Sequence, residues 1–102
     1  MSITVLNKYN FEGPYARTSD LKKASGVYIV YGNNDNGNSW TRIDVGESED
    51  IRTRIESHDR EPCWIGQGFK YIAYAPLHAN ANERMQIEKA VRAEKKLPCG
   101  DR

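Results

Sequence analysis

The sequence predicts an α+β domain: a small, three-stranded, mainly antiparallel sheet flanked by helices. Three observations predict it. The chain has 102 residues, the length of one small domain with a single core. Two runs rich in β-branched and aromatic residues flank an Asn-rich loop at 33–39, the pattern of a hairpin. Helical signals follow at 48–58 and 82–97 with a third strand between them, so the order is strand, strand, helix, strand, helix.

Residues 1–25 read as an N-terminal extension to a core of 26–101, within one domain spanning 1–102. In the extension Tyr9, Phe11 and Tyr15 are expected to form a lid on the core. Residues 18–24 predict one helical turn, capped by Thr18 or Ser19 and ended by Gly26. The first strand is 27–31 and the returning strand 40–45. Asn36-Gly37 is the strongest hairpin dipeptide between them. Ser48 is the expected cap of a helix reaching His58, with Glu49 and Asp50 in the first turn, where the helix dipole favours acids. That helix stops before Pro62. Gly66 and Gly68 open a strand at 69–75, closed by Pro76. Asn82 caps the longest helix, and Pro98 with Gly100 ends it.

Composition narrows the function. Hydrophobic residues make up 38 % and charged residues 28 %, a low apolar share that ten aromatics offset by the area each buries. A net charge of +1 does not mark a strongly basic nucleic-acid binder, so such contacts would rest on a local patch. Two cysteines, Cys63 and Cys99, are too few for a disulfide framework. They read as buried thiols in a reducing cytoplasm. Neither a Cys-x-x-Cys pair nor a zinc-type spacing around His58 and Cys63 occurs. No apolar run approaches the roughly 20 residues of a membrane span, and the N-terminus has no signal-peptide pattern.

Strand parity places the first candidate residues. Val27, Ile29 and Tyr31 share one face, and Thr41, Ile43 and Val45 share one face of the returning strand. If these two sets lie together against the helices, Tyr28 and Asp44 fall on the other face. Facing residues must then have numbers with an even sum, and a pairing centred on Asn36 sets Tyr28 directly opposite Asp44. A two-residue turn would flip one strand, so a longer loop is expected. On the helix of 48–58, at about 100° per residue, Ile51, Ile55, Arg54 and His58 form one stripe roughly 100° wide. Arg54 and His58 are thus expected beside core isoleucines.

Gly26-Val27-Tyr28, a loop, Asp44-Val45-Gly46 and then a helix with Arg54 and His58 resemble the GIY-YIG nucleases. Arg54 follows Gly46 by eight residues, His58 follows Arg54 by four, and Glu88 precedes Pro98 by ten, the spacings of that family. The resemblance covers 26–101. It implies cleavage of DNA phosphodiester bonds with one divalent metal, Mg²⁺ or Mn²⁺. Tyr28 would accept a proton from the attacking water, Arg54 would stabilise charge on the phosphate, and His58 would relay the proton. Glu88 would be the sole protein ligand of the metal, with waters completing the shell. By position on the helix wheel alone, Glu83 and Glu94 compete with Glu88.

Three positions depart from the family. Asp44 stands where the second tyrosine belongs, Glu47 where many members have lysine, and no asparagine follows Pro98. Two carboxylates near one phosphate repel it unless a cation intervenes. A neighbouring anion also opposes deprotonation of Tyr28. Asp44 beside Glu88 would instead strengthen a hard-cation site. Two functions stay open: a nuclease of low intrinsic specificity, with a protein partner supplying targets, or a catalytically lapsed module that binds nucleic acid or protein.

Overall fold

The computed structural model describes residues 2–34 and 39–100. The fold is α+β. Strand β1 (Ser2–Val5) pairs with β2 (Tyr9–Glu12) as a separate hairpin. A 3₁₀ turn at Thr18–Asp20 leads to β3 (Gly26–Asn33), followed by β4 (Thr41–Ser48), α1 (Ile51–Glu56), α2 (Glu61–Gly66), β5 (Tyr71–His78) and α3 (Ala81–Glu94). The main sheet has the order β4-β3-β5 and is antiparallel throughout. The hairpin dipeptide Asn36-Gly37 lies outside the described residues.

Both faces of the sheet are covered. Val27, Ile29, Tyr31, Val45 and Ala75 pack with Val91 of α3 and with Val5 and Phe11 of the N-terminal hairpin. Tyr28, Val30 and Ile43 pack on the other face with Ile51 and Ile55 of α1 and Trp64 of α2. This corrects the grouping of Ile43 with Val45 on one face. Val30 faces Asp44 while Tyr31 faces Arg42, so Ile43 is an extra residue on β4. Such a bulge puts two consecutive side chains against one partner and breaks strict alternation.

The N-terminal segment is part of the core, since Phe11 is fully buried and Tyr15 exchanges two backbone hydrogen bonds with Tyr74 of β5, each 2.8 Å. The helix expected at 48–58 is shorter. Asp50 caps it by accepting from the Thr53 N–H at 3.1 Å, and His58 lies beyond its end. α2 occupies a stretch expected to lack a helix. Pro62 stands in its first turn, where a missing N–H costs nothing and the fixed φ favours a start. Pro76 lies inside β5, not after it, on an edge strand that tolerates proline. α3 starts one residue after Asn80, which forms a capping box with Glu83, so Asn82 is not the cap. Cys63 and Cys99 form a disulfide that ties α2 to the segment after α3. They are therefore not free thiols.

Candidate functional site

Tyr28 is the third residue of β3, opposite Gly46 of β4. A Cβ at position 46 would collide with the phenol ring and its hydroxyl, so the ring lies over β4 only because residue 46 is glycine. Asp44 is two residues off the expected register, facing Val30. The parity argument holds, because Tyr28 and Asp44 do share a face; their direct pairing does not.

The Tyr28 Oη lies 2.6 Å from His58 Nε2. On the far side of the imidazole, the Arg60 backbone N–H donates to Nδ1 at 3.0 Å. A backbone N–H can only donate, so Nδ1 bears no proton and the neutral ring is protonated at Nε2. His58 therefore donates to the Tyr28 oxygen. The ring is held tilted against Trp64, with centroids 4.6 Å apart, and edge-on to Tyr28 at 5.8 Å. Burial holds His58 neutral, lowering its pKa to about 4, and the nearby Arg54 and Arg60 guanidinium groups push the same way. Burial raises the Tyr28 pKa to about 12; Arg54 works against this rise and Asp44 adds to it. At neutral pH both groups are uncharged.

Arg54 reaches the same cluster from α1. Its Nη2 donates to Asp59 Oδ1 at 2.9 Å, and its side chain remains 37 % exposed. That bond holds the Asp59 carboxyl below its usual pKa. Arg54 is thus less enclosed than its place on the helix stripe implied, whereas the His58 side chain is fully enclosed.

Asp44 is fully buried, and its two oxygens accept three hydrogen bonds. Oδ2 accepts from Arg60 Nε and Trp64 Nε1, each 2.8 Å, and Oδ1 accepts from its neighbour's backbone, Val45 N, at 2.8 Å. The carboxylate fixes α2, and α2 fixes the wall behind His58. Sequence reasoning missed Arg60 and Trp64, because both approach Asp44 from a helix that local periodicity did not reveal.

Glu88 lies on α3, where Arg92 meets it at 3.4 Å. It lines a hollow of about 240 Å³ with Glu47, Met85 and Lys89. Its charge reaches Tyr28 weakly enough to rank behind Arg54, Asp44 and Arg60. Glu47, the other unusual acid, is bonded to Arg84 at 2.6 Å, and Arg84 also donates to Ser25 Oγ at 2.8 Å. The structure brings Tyr28, His58 and Arg54 together and sets Glu88 beside Glu47 in a hollow along α3. Asp44 lies behind the first group, near enough to act on Tyr28 and His58, with its oxygens taken up by Arg60, Trp64 and Val45.

Among the described residues no group of three His, Cys, Asp or Glu side chains could hold a metal ion. A one-carboxylate Mg²⁺ site does not need such a group, because that ion keeps most of its waters. Glu47 and Glu88, on one hollow, have the donor chemistry of a hard-cation site, and each is paired with an arginine that a cation would displace. No family model, curated protein or solved structure matches the chain.

Proposed function

We propose that the domain is a small metal-dependent nuclease of GIY-YIG type, cutting phosphodiester bonds in DNA with low intrinsic sequence specificity and taking its targets from a protein partner. The observation that carries this reading is the 2.6 Å bond between Tyr28 and His58, with Arg54 beside it. Donation from His58 Nε2–H stabilises a phenolate at Tyr28, the form that takes a proton from water. Arg54 must release Asp59 to hold a phosphate oxygen. Glu88, with Glu47 alongside, would hold Mg²⁺ or Mn²⁺. When bound, the ion would neutralise charge developing on the phosphate.

A plasmid-nicking assay with and without Mg²⁺ or Mn²⁺ tests the proposal. With a base whose pKa is about 12, nicking should accelerate by about tenfold per pH unit between pH 7 and 10. Tyr28→Phe and Arg54→Ala should abolish it while the fold persists. A large drop in melting temperature with normal nicking would assign Arg54 to structure instead.

Two observations favour the lapsed module. Tyr28 is 1 % exposed, and Asp59 occupies the Arg54 fork where a phosphate would lie. If that reading holds, no nicking appears at any pH, and DNA still retards the protein on a gel.

The compartment has two opposing indications. The low cysteine count points to the cytoplasm, and the Cys63–Cys99 bridge points to an oxidising setting. Counting free thiols in protein denatured directly from cells decides between them. No helix among the described residues is long and apolar enough to cross a membrane.

A further inference from the structure

A second hollow lies across the sheet from Tyr28. Ile3, Tyr31, Trp40, Arg42 and Lys95 line about 300 Å³ there. Tyr31 packs with Val27 and Ile29, on the face opposite the His58 cluster. Its hydroxyl is buried, and among the described residues it has no hydrogen-bond partner. Burial pushes the Tyr31 pKa up, and the Arg42 guanidinium opposes this by its charge and by an approach to the hydroxyl that falls short of a well-formed hydrogen bond. A buried hydroxyl left in that condition disfavours the free fold unless something supplies a partner.

The walls describe what that partner would be. The half-buried Trp40 meets Tyr31 edge-on, with ring centroids 6.5 Å apart. Arg42 is paired with Glu94 at the rim. Lys95 is exposed and forms no ion pair with a described residue. The hollow therefore combines an aromatic wall, two cations and one unmatched hydroxyl. Its volume is at the lower end of small-ligand sites.

We propose that this hollow binds a small planar anion, a flat ring bearing one phosphate or carboxylate. The ring lies against Trp40 and Ile3. The anionic group sits between Lys95 and Arg42, and the Tyr31 hydroxyl gains its missing partner from the ligand. Arg42 exchanges its contact with Glu94 for one with the anion. None of this depends on the nuclease reading, since no residue is shared with the Tyr28 cluster.

Calorimetric titration of the whole chain tests the proposal with four probes: adenosine 5′-monophosphate, benzoate, adenosine and inorganic phosphate. The first two carry both ring and anion from different sources; the last two each carry half. At least one complete probe should bind with a dissociation constant below about 1 mM, and both half-probes at least about tenfold more weakly. Lys95→Gln and Trp40→Ala should each weaken the complete probe by about tenfold or more. Tyr31→Phe should weaken it severalfold yet raise the melting temperature of the free protein, because it deletes the unmatched hydroxyl. Failure of both complete probes to bind overturns the proposal. So does binding that neither Lys95→Gln nor Trp40→Ala alters, and so does a Tyr31→Phe variant that is more stable and binds as before.

Discussion

Asp44 stands where a family resemblance would put a tyrosine, and its neighbours explain what it does there. It is a buried acceptor for two long side chains, Trp64 of α2 and Arg60 at its N-cap. Asp44→Ala would strand the Trp64 indole N–H and the Arg60 guanidinium, at a cost of about 3 kcal/mol. Asp44→Asn keeps one acceptor oxygen and should cost less. Urea unfolding measures both; a loss under about 1 kcal/mol for Asp44→Ala would show that water replaces the carboxylate. His58 makes a prediction about pH. Its folded pKa, about 4, lies below the ordinary 6.5, so the unfolded chain binds the proton more readily. The stability this residue confers is complete above pH 6.5 and is lost as pH falls from 6.5 toward 4, about 3 kcal/mol at most. His58→Gln should flatten the unfolding free energy across that window. An unchanged acid slope in the variant would assign the slope to other groups.

The strand pair β3–β4 depends on a single missing side chain. Gly46→Ala forces a methyl group into the Tyr28 ring, and overpacking of this kind costs about 1–3 kcal/mol. Tyr28→Phe alone leaves the His58 N–H without an acceptor. Combined, the two changes should destabilise by less than their sum, because removing the hydroxyl relieves the closest contact of the methyl, although the ring carbon behind it still crowds the site. Strict additivity in denaturant midpoints would mean that the strands separate to relieve the clash. The same pair marks how far the sequence could be read. That Tyr28 and Asp44 share a face was legible because period-2 spacing depends only on neighbours; Gly46 entered only through the family resemblance, and His58 lies past the end of the helix whose stripe was to carry it. The bulge at Ile43 and the helix at Glu61–Gly66 were not legible, since both answer to distant groups: the bulge to register with Val30, the helix to Asp44 and to a cysteine 36 residues further on. Pro62 reads as a stop signal in the sequence and is a start signal in the fold, an ambiguity that only a packing partner such as Trp64 resolves.

Taken as a whole, the molecule is closed around its sheet by chain ends. The N-terminal hairpin covers one face and bonds the β5 edge through Tyr15. The segment after α3 covers the β4 edge, where Cys99 N–H donates to Ile43 O at 2.9 Å and Arg92 donates to Val45 O at 2.9 Å. The Cys63–Cys99 bond locks that segment in place. Closing a loop of 36 residues restricts the unfolded chain by about 4 kcal/mol on the chain-entropy account. Cys63→Ser with Cys99→Ser should lower unfolding stability by that order, and dithiothreitol should do the same to the native chain. A reduced protein with an unchanged midpoint would indicate that the Asp44 contacts alone hold α2.

All eight residues of β3 are buried, and the strand is bonded along both edges. Its amide protons can therefore meet solvent only when the whole sheet comes apart. In deuterated water, the amides of Gly26–Asn33 should exchange last and report the global unfolding free energy, while those of Ser2–Val5 exchange earlier through local opening. The central strand thus acts as an internal gauge, against which the effect of each substitution above can be read amide by amide without adding denaturant.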